Sequence, residues 1–145
     1  MIAVDTNILV YAHRQDSPWH KQAAEVVRRL AQSPDAWAIP WSVLHEFLAI
    51  VTHPRIYRPP TPLPAAVDQV SAWLESPSLV LLTESPAYWR HLQHTLEQGQ
   101  VSGPRVHDAR IAALCADHQV DQLWTFDRDF SRFPTLTPHN PLINT

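Results

Sequence analysis

Four acidic residues occupy positions for which a soluble chain has little ordinary use. Asp5 interrupts the apolar opening "MIAVDTNILV" directly behind a strand-like run. Glu46 lies in "WSVLHEFLAIVTH", with Val43 before it and Ala49 and Ile50 after it at helical spacing, which places it on or beside an apolar face. Asp108 repeats the pattern, with Ile111, Ala112 and Cys115 at i+3, i+4 and i+7. Asp127 follows another strand-like run in "WTFDRDF". One such acid has a plain reading: Asp is a favoured helix N-cap, and a carboxylate at a face boundary reaches out to water. Four are harder to dismiss, because burying an isolated carboxylate costs on the order of several kcal/mol or forces its protonation. Acids brought together repel one another and call for a cation. An all-oxygen set without cysteine suits Mg²⁺ or Mn²⁺. Such an ion can activate water, neutralise a phosphate and stabilise a leaving oxygen. On this reading Asp5 is a metal ligand.

The elements needed to gather these acids follow from periodicity and punctuation. Ile2–Val4 reads as a short buried strand, "HKQAAEVVRRLAQS" as a helix, and "AWAIP" as a second strand. The helix "WSVLHEFLAIVTH" follows and stops at Pro54. A stiff connection, "PRIYRPPTPLP", leads to a helix over Ala65–Glu75. "SLVLL" is a third strand, Pro86–Gln98 a helix, and "QGQVSGP" a break holding both glycines. Pro104 opens the helix "RVHDARIAALCADHQ" as an N1 proline, "QLWTF" is the last clear strand, and a proline-punctuated tail ends the chain. Strands alternating with helices predict an α/β fold with a parallel sheet. Ligands of such sheets gather outside the carboxyl ends of the strands, where strand order reverses. Asp5 and Asp127 follow strands directly, and Glu46 and Asp108 sit early in helices that can flank the same edge.

Composition narrows the class. At 145 residues, 45% hydrophobic, the chain can build one sizeable core. Its longest apolar runs, such as "FLAIV", are far shorter than a membrane span, and no signal-peptide pattern opens it. The single cysteine, Cys115, excludes an internal disulfide and a multi-cysteine zinc site, and reads as a small buried hydrophobe. A cytoplasmic protein without membrane association is expected. Net charge is −3, so the whole surface is no nucleic-acid magnet, yet the cations are nearly all arginine, the only lysine being Lys21. Arginine suits phosphate bidentately. Arg14, Arg110 and Arg128 lie near the acidic motifs, where phosphate contact and structural ion pairing are equal alternatives. His91 and His94, on one helix face, read as surface residues. His45 and His107 precede proposed ligands, but neighbours on a helix diverge by about 100°, so they read as structural or surface side chains.

The quartet Asp5, Glu46, Asp108 and Asp127, with "VDTNILVYA" at the start and "TFDRDFSRFP" near the end, resembles the PIN-domain ribonucleases, and more narrowly the VapC toxins of bacterial toxin–antitoxin systems. The likeness runs from Ile2 to about Leu142. It implies a single domain over residues 1–145, a PIN-like three-layer α/β/α sandwich with a central parallel sheet. It also implies RNA cleavage dependent on Mg²⁺ or Mn²⁺, inhibition by a cognate antitoxin, and a homodimer. By position, Asp5, Glu46, Asp108 and Asp127 match the family's catalytic, metal-holding acids, and Asn7 and Thr125 its supporting polar residues. In "DRD", Asp127 is preferred to Asp129 because it is nearer the strand; Asp129 is expected to cap or face solvent. Alternative readings are a housekeeping PIN-domain RNA-processing nuclease, a non-catalytic PIN-like RNA-binding module, and a phosphohydrolase of small phosphate esters, although "DTN" lacks the second acid of an Asp-x-Asp nucleophile motif.

Overall fold

The computed structural model describes residues 1–143. β1 (Ile2–Val4) runs directly into α1 (Thr6–His13), and α2 (His20–Gln32) leads to β2 (Trp37–Pro40). Then come α3 (Trp41–Val51), α4 (Leu63–Leu74) and β3 (Leu79–Leu82), followed by α5 (Tyr88–Gly99). A 3₁₀ turn over Gly103–Arg105 precedes α6 (Val106–Asp117), β4 (Gln122–Trp124), a second 3₁₀ turn over Arg128–Arg132, and β5 (Pro138–His139).

All five strands are parallel, in the order β3-β2-β1-β4-β5. From β1 the chain steps outward through β2 to β3, then returns across the sheet to lay β4 on the other side of β1. Strand order therefore reverses between β1 and β4, the place where open α/β sheets leave a crevice. β2, covered on both faces, is buried throughout, as parallel strands under helices must be, whereas β3 at the edge exposes Val80. α1 packs on α2 and α3, α3 on α4, and α5 on α6. Right-handed crossovers put the first four helices on one face and the last two on the other, giving three layers. Trp37, Phe47, Phe130 and Phe133 are fully buried in the core.

Three local expectations are revised. The proline-punctuated tail contains a strand: β5 pairs with β4, Thr125 N–H donating to the His139 carbonyl at 2.9 Å. Pro138 is tolerated there because an edge strand can lack one donor. Pro104 belongs to the 3₁₀ turn ahead of α6 rather than to the first position of α6. β4 ends at Trp124, two residues before the end of "QLWTF", and those two residues turn toward the site. Among the described residues no helix is long and apolar enough to cross a membrane.

Candidate active site

The junction of β1 and α1 builds the first part of the site. Asp5 ends the strand in extended backbone (φ −83°, ψ 165°), its own N–H donating to the Trp124 carbonyl at 2.9 Å. Its side chain is buried, and Oδ1 accepts the Thr6 N–H at 2.8 Å. Asp5 is thus the N-cap of α1, whatever else it does. Its other oxygen, Oδ2, accepts the Thr125 hydroxyl at 2.7 Å from the end of β4. That hydroxyl also accepts the Asp127 N–H at 3.0 Å, so one buried threonine fixes the spacing of two of the four acids. Asn7 hydrogen-bonds to neither. Its Oδ1 accepts the Phe126 N–H at 3.1 Å, tying α1 to the segment that carries Asp127. Asp127 in turn caps the second 3₁₀ turn, accepting the Asp129 N–H at 2.8 Å.

The other two acids arrive from helices on opposite faces of the sheet. Glu46 on α3 and Asp108 in the first turn of α6 join Asp5 and Asp127 in lining one cavity of about 440 Å³. The cavity sits at the carboxyl ends of β1 and β4, where strand order reverses. Glu46 lies at the margin of its helix's apolar stripe rather than within it. The buried residues of α3 are Val43, Leu44, Phe47 and Val51, while Ala49 and Glu46 itself are exposed. Asp129 stands outside the cavity, exposed and paired with Arg105 at 2.8 Å.

Electrostatics in this cavity disfavours the ionised acids. Burial pushes the Asp5 carboxyl up to about 6, against the opposing hydrogen bonds of Thr125 and Thr6, and the charges of Glu46 and Asp127 push the same way. Desolvation and the charge of Asp108 raise Glu46; His107 and Thr6 act against them. Desolvation and then Asp127 raise Asp108, with Arg105 opposing. The donors suit a hard divalent ion: carboxylate oxygens from four elements, together with the buried Thr6 hydroxyl, which lines the cavity beside Glu46. The geometry is more open than a coordination shell. Among the described residues no three His, Cys, Asp or Glu side chains are close enough to hold a metal ion together.

Several lining residues escape a reading of the acids alone. Val10, Ile50 and Ile111 lie one helical turn beyond Asn7, Glu46 and Asp108, so same-face spacing would have found them. Tyr11, one turn beyond Asn7, is found the same way. Tyr57 comes from the proline-rich connection and carries no sequence signal. His107 lines the cavity beside Asp108, against the expectation that neighbouring helical residues cannot share a site: near a helix start, a concave wall spans more than one face. His45 is exposed beside Trp41, and His91 is partly exposed with Nε2 3.9 Å from Asp117. Arg14 pairs with Asp16 and Arg110 with Glu84. Cys115 is buried, and burial pushes its thiol up to about 12, leaving it neutral.

Comparison with known proteins places this geometry. Residues 2–136 match the PIN domain family. Ribonuclease VapC43 of Mycobacterium tuberculosis is 32% identical over 142 residues, covering 98% of this chain and 96% of that protein. Ribonuclease VapC48 of the same species is 28% identical over 137 residues, 94% of each. Among solved structures, VapBC2 from Rickettsia felis bound to a DNA fragment from its promoter superposes with a TM-score of 0.70 at 22% identity, covering 97% of this chain and 98% of that one. VapC20 of Mycobacterium tuberculosis, a sarcin-ricin loop cleaving toxin, gives 0.66 at 19% identity over 90% and 93%. With a parallel sheet in the order 3-2-1-4-5, four acids around one cavity at its reversal point, and VapC ribonucleases as full-length relatives, the chain belongs to the PIN-domain family.

Proposed function

We propose that this protein is a metal-dependent endoribonuclease and the toxin of a type II toxin–antitoxin pair, acting in the cytoplasm. One observation carries the reading: Asp5, Glu46, Asp108 and Asp127, far apart in sequence, line a single cavity at the switch point of the sheet. The ribonuclease names of its full-length relatives support the same class.

A Mg²⁺ or Mn²⁺ ion held by these four carboxylates would supply Lewis acidity at the scissile phosphate and lower the pKa of an attacking water. The protein's own part is placement. The Thr125 hydroxyl donates to Asp5 and accepts the Asp127 N–H, and Asn7 fastens the Phe126 amide between them. Attack by water rather than by the ribose 2′-hydroxyl leaves a 5′-phosphate and a 3′-hydroxyl. The test is cleavage of single-stranded or loop RNA by the purified protein with Mg²⁺, with Mn²⁺ and in chelator, followed by analysis of the new ends. Cyclic-phosphate products, or full activity in chelator, overturn the mechanism.

The partners follow from the family likeness. A cognate antitoxin is expected to bind tightly and to place an Arg or Lys side chain among the four acids, answering the charge that a metal ion would otherwise balance. A homodimer is expected to set two acid cavities beside shared surface. Solution mass at micromolar concentration, alone and with the product of the neighbouring gene, tests both.

A further inference from the structure

Next to the acid cavity lies a second concavity of about 580 Å³ that shares Asp108 with it. Its cations are Arg105, from the 3₁₀ turn ahead of α6, and Arg132, from the end of the 3₁₀ turn after Asp127. Gln100 and Ser102 add polar side chains. Arg105 is braced: its Nη1 lies 2.8 Å from Asp129 Oδ2 and 3.9 Å from Asp108 Oδ2, which leaves other guanidinium N–H groups free to donate. Arg132 is exposed and takes part in none of the ion pairs among the described residues. Other arginines near an acid are spent internally, Arg14 on Asp16 and the Pro59 carbonyl, Arg28 and Arg29 on Glu25, and Arg110 on Glu84, while Arg128, exposed beside Asp127, lines a different concavity.

This placement answers a difficulty in the acid cavity. Four carboxylates repel a polyanion, and a strand drawn across them carries a phosphate on each side of the bond to be cut. Cations just outside the acids must hold such a neighbour. Guanidinium groups do this well, their planar fork matching phosphate oxygens. We propose that Arg105 and Arg132 form a binding subsite for the phosphate adjacent to the scissile one in single-stranded RNA, with Asp129 positioning Arg105. The proposal rests on reading the acid cavity as a ribonuclease centre.

The test separates the two. Binding of a short fluorescent single-stranded RNA is measured in chelator, where cleavage is off, and kcat and KM are measured with Mn²⁺. Arg132→Ala and Arg105→Ala are expected to weaken binding about tenfold each, the scale of one lost charge-assisted contact. Each should lower the slope of log affinity against log salt by about 0.7. KM should rise by a similar factor with kcat within about twofold, Arg132→Lys should keep most of the affinity, and Arg28→Ala should change nothing. Binding unaltered in both alanine variants overturns the subsite even if the wild type cleaves RNA, as does a wild type that binds no RNA. A lower melting temperature in Arg105→Ala without lost affinity gives that residue a structural role only and removes it from the subsite. Arginine-dependent binding without metal-dependent cleavage upholds the subsite and overturns the ribonuclease reading instead.

Discussion

Asp5 and Asp117 are two carboxylates shielded from water, each accepting one backbone N–H and one hydroxyl, and they end in opposite states. Asp5 takes the Thr6 N–H at 2.8 Å and the Thr125 hydroxyl at 2.7 Å. Asp117, its side chain 2% exposed, takes the Ser85 N–H at 3.0 Å and the Ser85 hydroxyl at 2.5 Å. Burial pushes both upward. At Asp117 the two Ser85 hydrogen bonds, His118 and His91 outweigh it and hold the carboxyl below its ordinary value. At Asp5 deep burial outweighs the hydrogen bonds, the charges of Glu46 and Asp127 add to it, and the carboxyl rises to about 6. Hydrogen-bond number is the same, so depth of burial, and after it the sign of the neighbouring charges, decides the outcome. Asp117 is a finished latch between the end of α6 and the turn after β3, closed further by His118 Nε2 at 2.6 Å from the Thr83 carbonyl oxygen. Asp5 belongs to a group of acids raised by burial and by one another's like charge.

Exchanging each acid for its amide should break the two regions in opposite ways. Asp5→Asn keeps the shape and the cap but removes an anionic ligand. RNA cleavage with Mn²⁺ is expected to fall by at least about a thousandfold, the scale on which a preorganised electrostatic group acts. The melting temperature in chelator should hold or rise slightly. Asp117→Asn should keep the cleavage rate within a few-fold and lose roughly 2 kcal/mol of stability, the scale of hydrogen bonds to a charged group. If Asp5→Asn stays active, Asp5 is a helix cap and nothing more.

Proton linkage should show the same contrast as a slope. Asp5 has a folded pKa of about 6 against an ordinary 3.8, so between about pH 4 and 6 the folded state holds the extra proton and stability falls as pH rises. The difference corresponds to roughly 3 kcal/mol. Glu46 and Asp108, also raised, act in the same direction. Asp117, lowered, contributes stability that is present above its unfolded pKa and is lost as pH falls through its folded one. Urea unfolding of wild type and Asp5→Asn in chelator across this range should show wild type losing about that amount relative to the variant by pH 7. Adding Mn²⁺ should remove most of the fall at high pH and little at low pH, because the ion binds the ionised acids. Parallel curves for the two proteins would mean that Asp5 carries no raised pKa.

What the sequence made legible was what depends on local period and on strand ends. Asp5 and Asp127 could be placed because each follows an apolar run directly, and a parallel sheet sends such positions to one edge. Asp108 could be placed because Ile111, Ala112 and Cys115 mark its helix face, and all three are buried. Glu46 reached the same cavity although its facial argument was weaker, Ala49 being exposed. β5 was not legible, because two residues led by a proline have no period to detect. Nor was the concavity of Arg105 and Arg132, whose members meet only because α6 and the segment after β4 pass one another. Of the arginines adjacent to motifs, which drew attention by sequence proximity, Arg14 and Arg110 proved to be ion-paired, and Arg128 is exposed outside the acid cavity.

Thr125 sharpens the comparison, since it is the donor that Asp5 has in place of Ser85. Thr125→Val removes the hydroxyl to Asp5 and the acceptor of the Asp127 N–H while keeping the shape. With its strongest opposing hydrogen bond gone, Asp5 should titrate above about 6. Mn²⁺ affinity should fall about 10- to 100-fold, as when a supporting partner of a ligand is lost. Calorimetric titration with Mn²⁺ at pH 6 and pH 8 checks both, the deficit being larger at pH 6. An equal deficit at the two values would show that Thr125 sets only the position of Asp127 and not the charge of Asp5.

The smallest expected effect belongs to Asn7, which lines the cavity but bonds to no acid. Asn7→Ala leaves the half-buried Phe126 N–H without its acceptor, costing about 1 kcal/mol. The loss should fall on the segment Thr125–Asp127 rather than on the charge balance at Asp5, whose own bonds come from Thr6 and Thr125. Stability should therefore drop by a similar amount at every pH from 4 to 7, parallel to wild type, whereas Thr125→Val should change the slope. Cleavage should decline by less than for Thr125→Val, because Asp127 stays held through its N–H to Thr125. Amide exchange at Phe126 is the direct readout and should quicken in the variant while Asp127 stays protected. A pH-dependent loss in Asn7→Ala would mean that its amide reaches the acids in solution, and would place it with Thr125 among the groups that set the charge of the cavity.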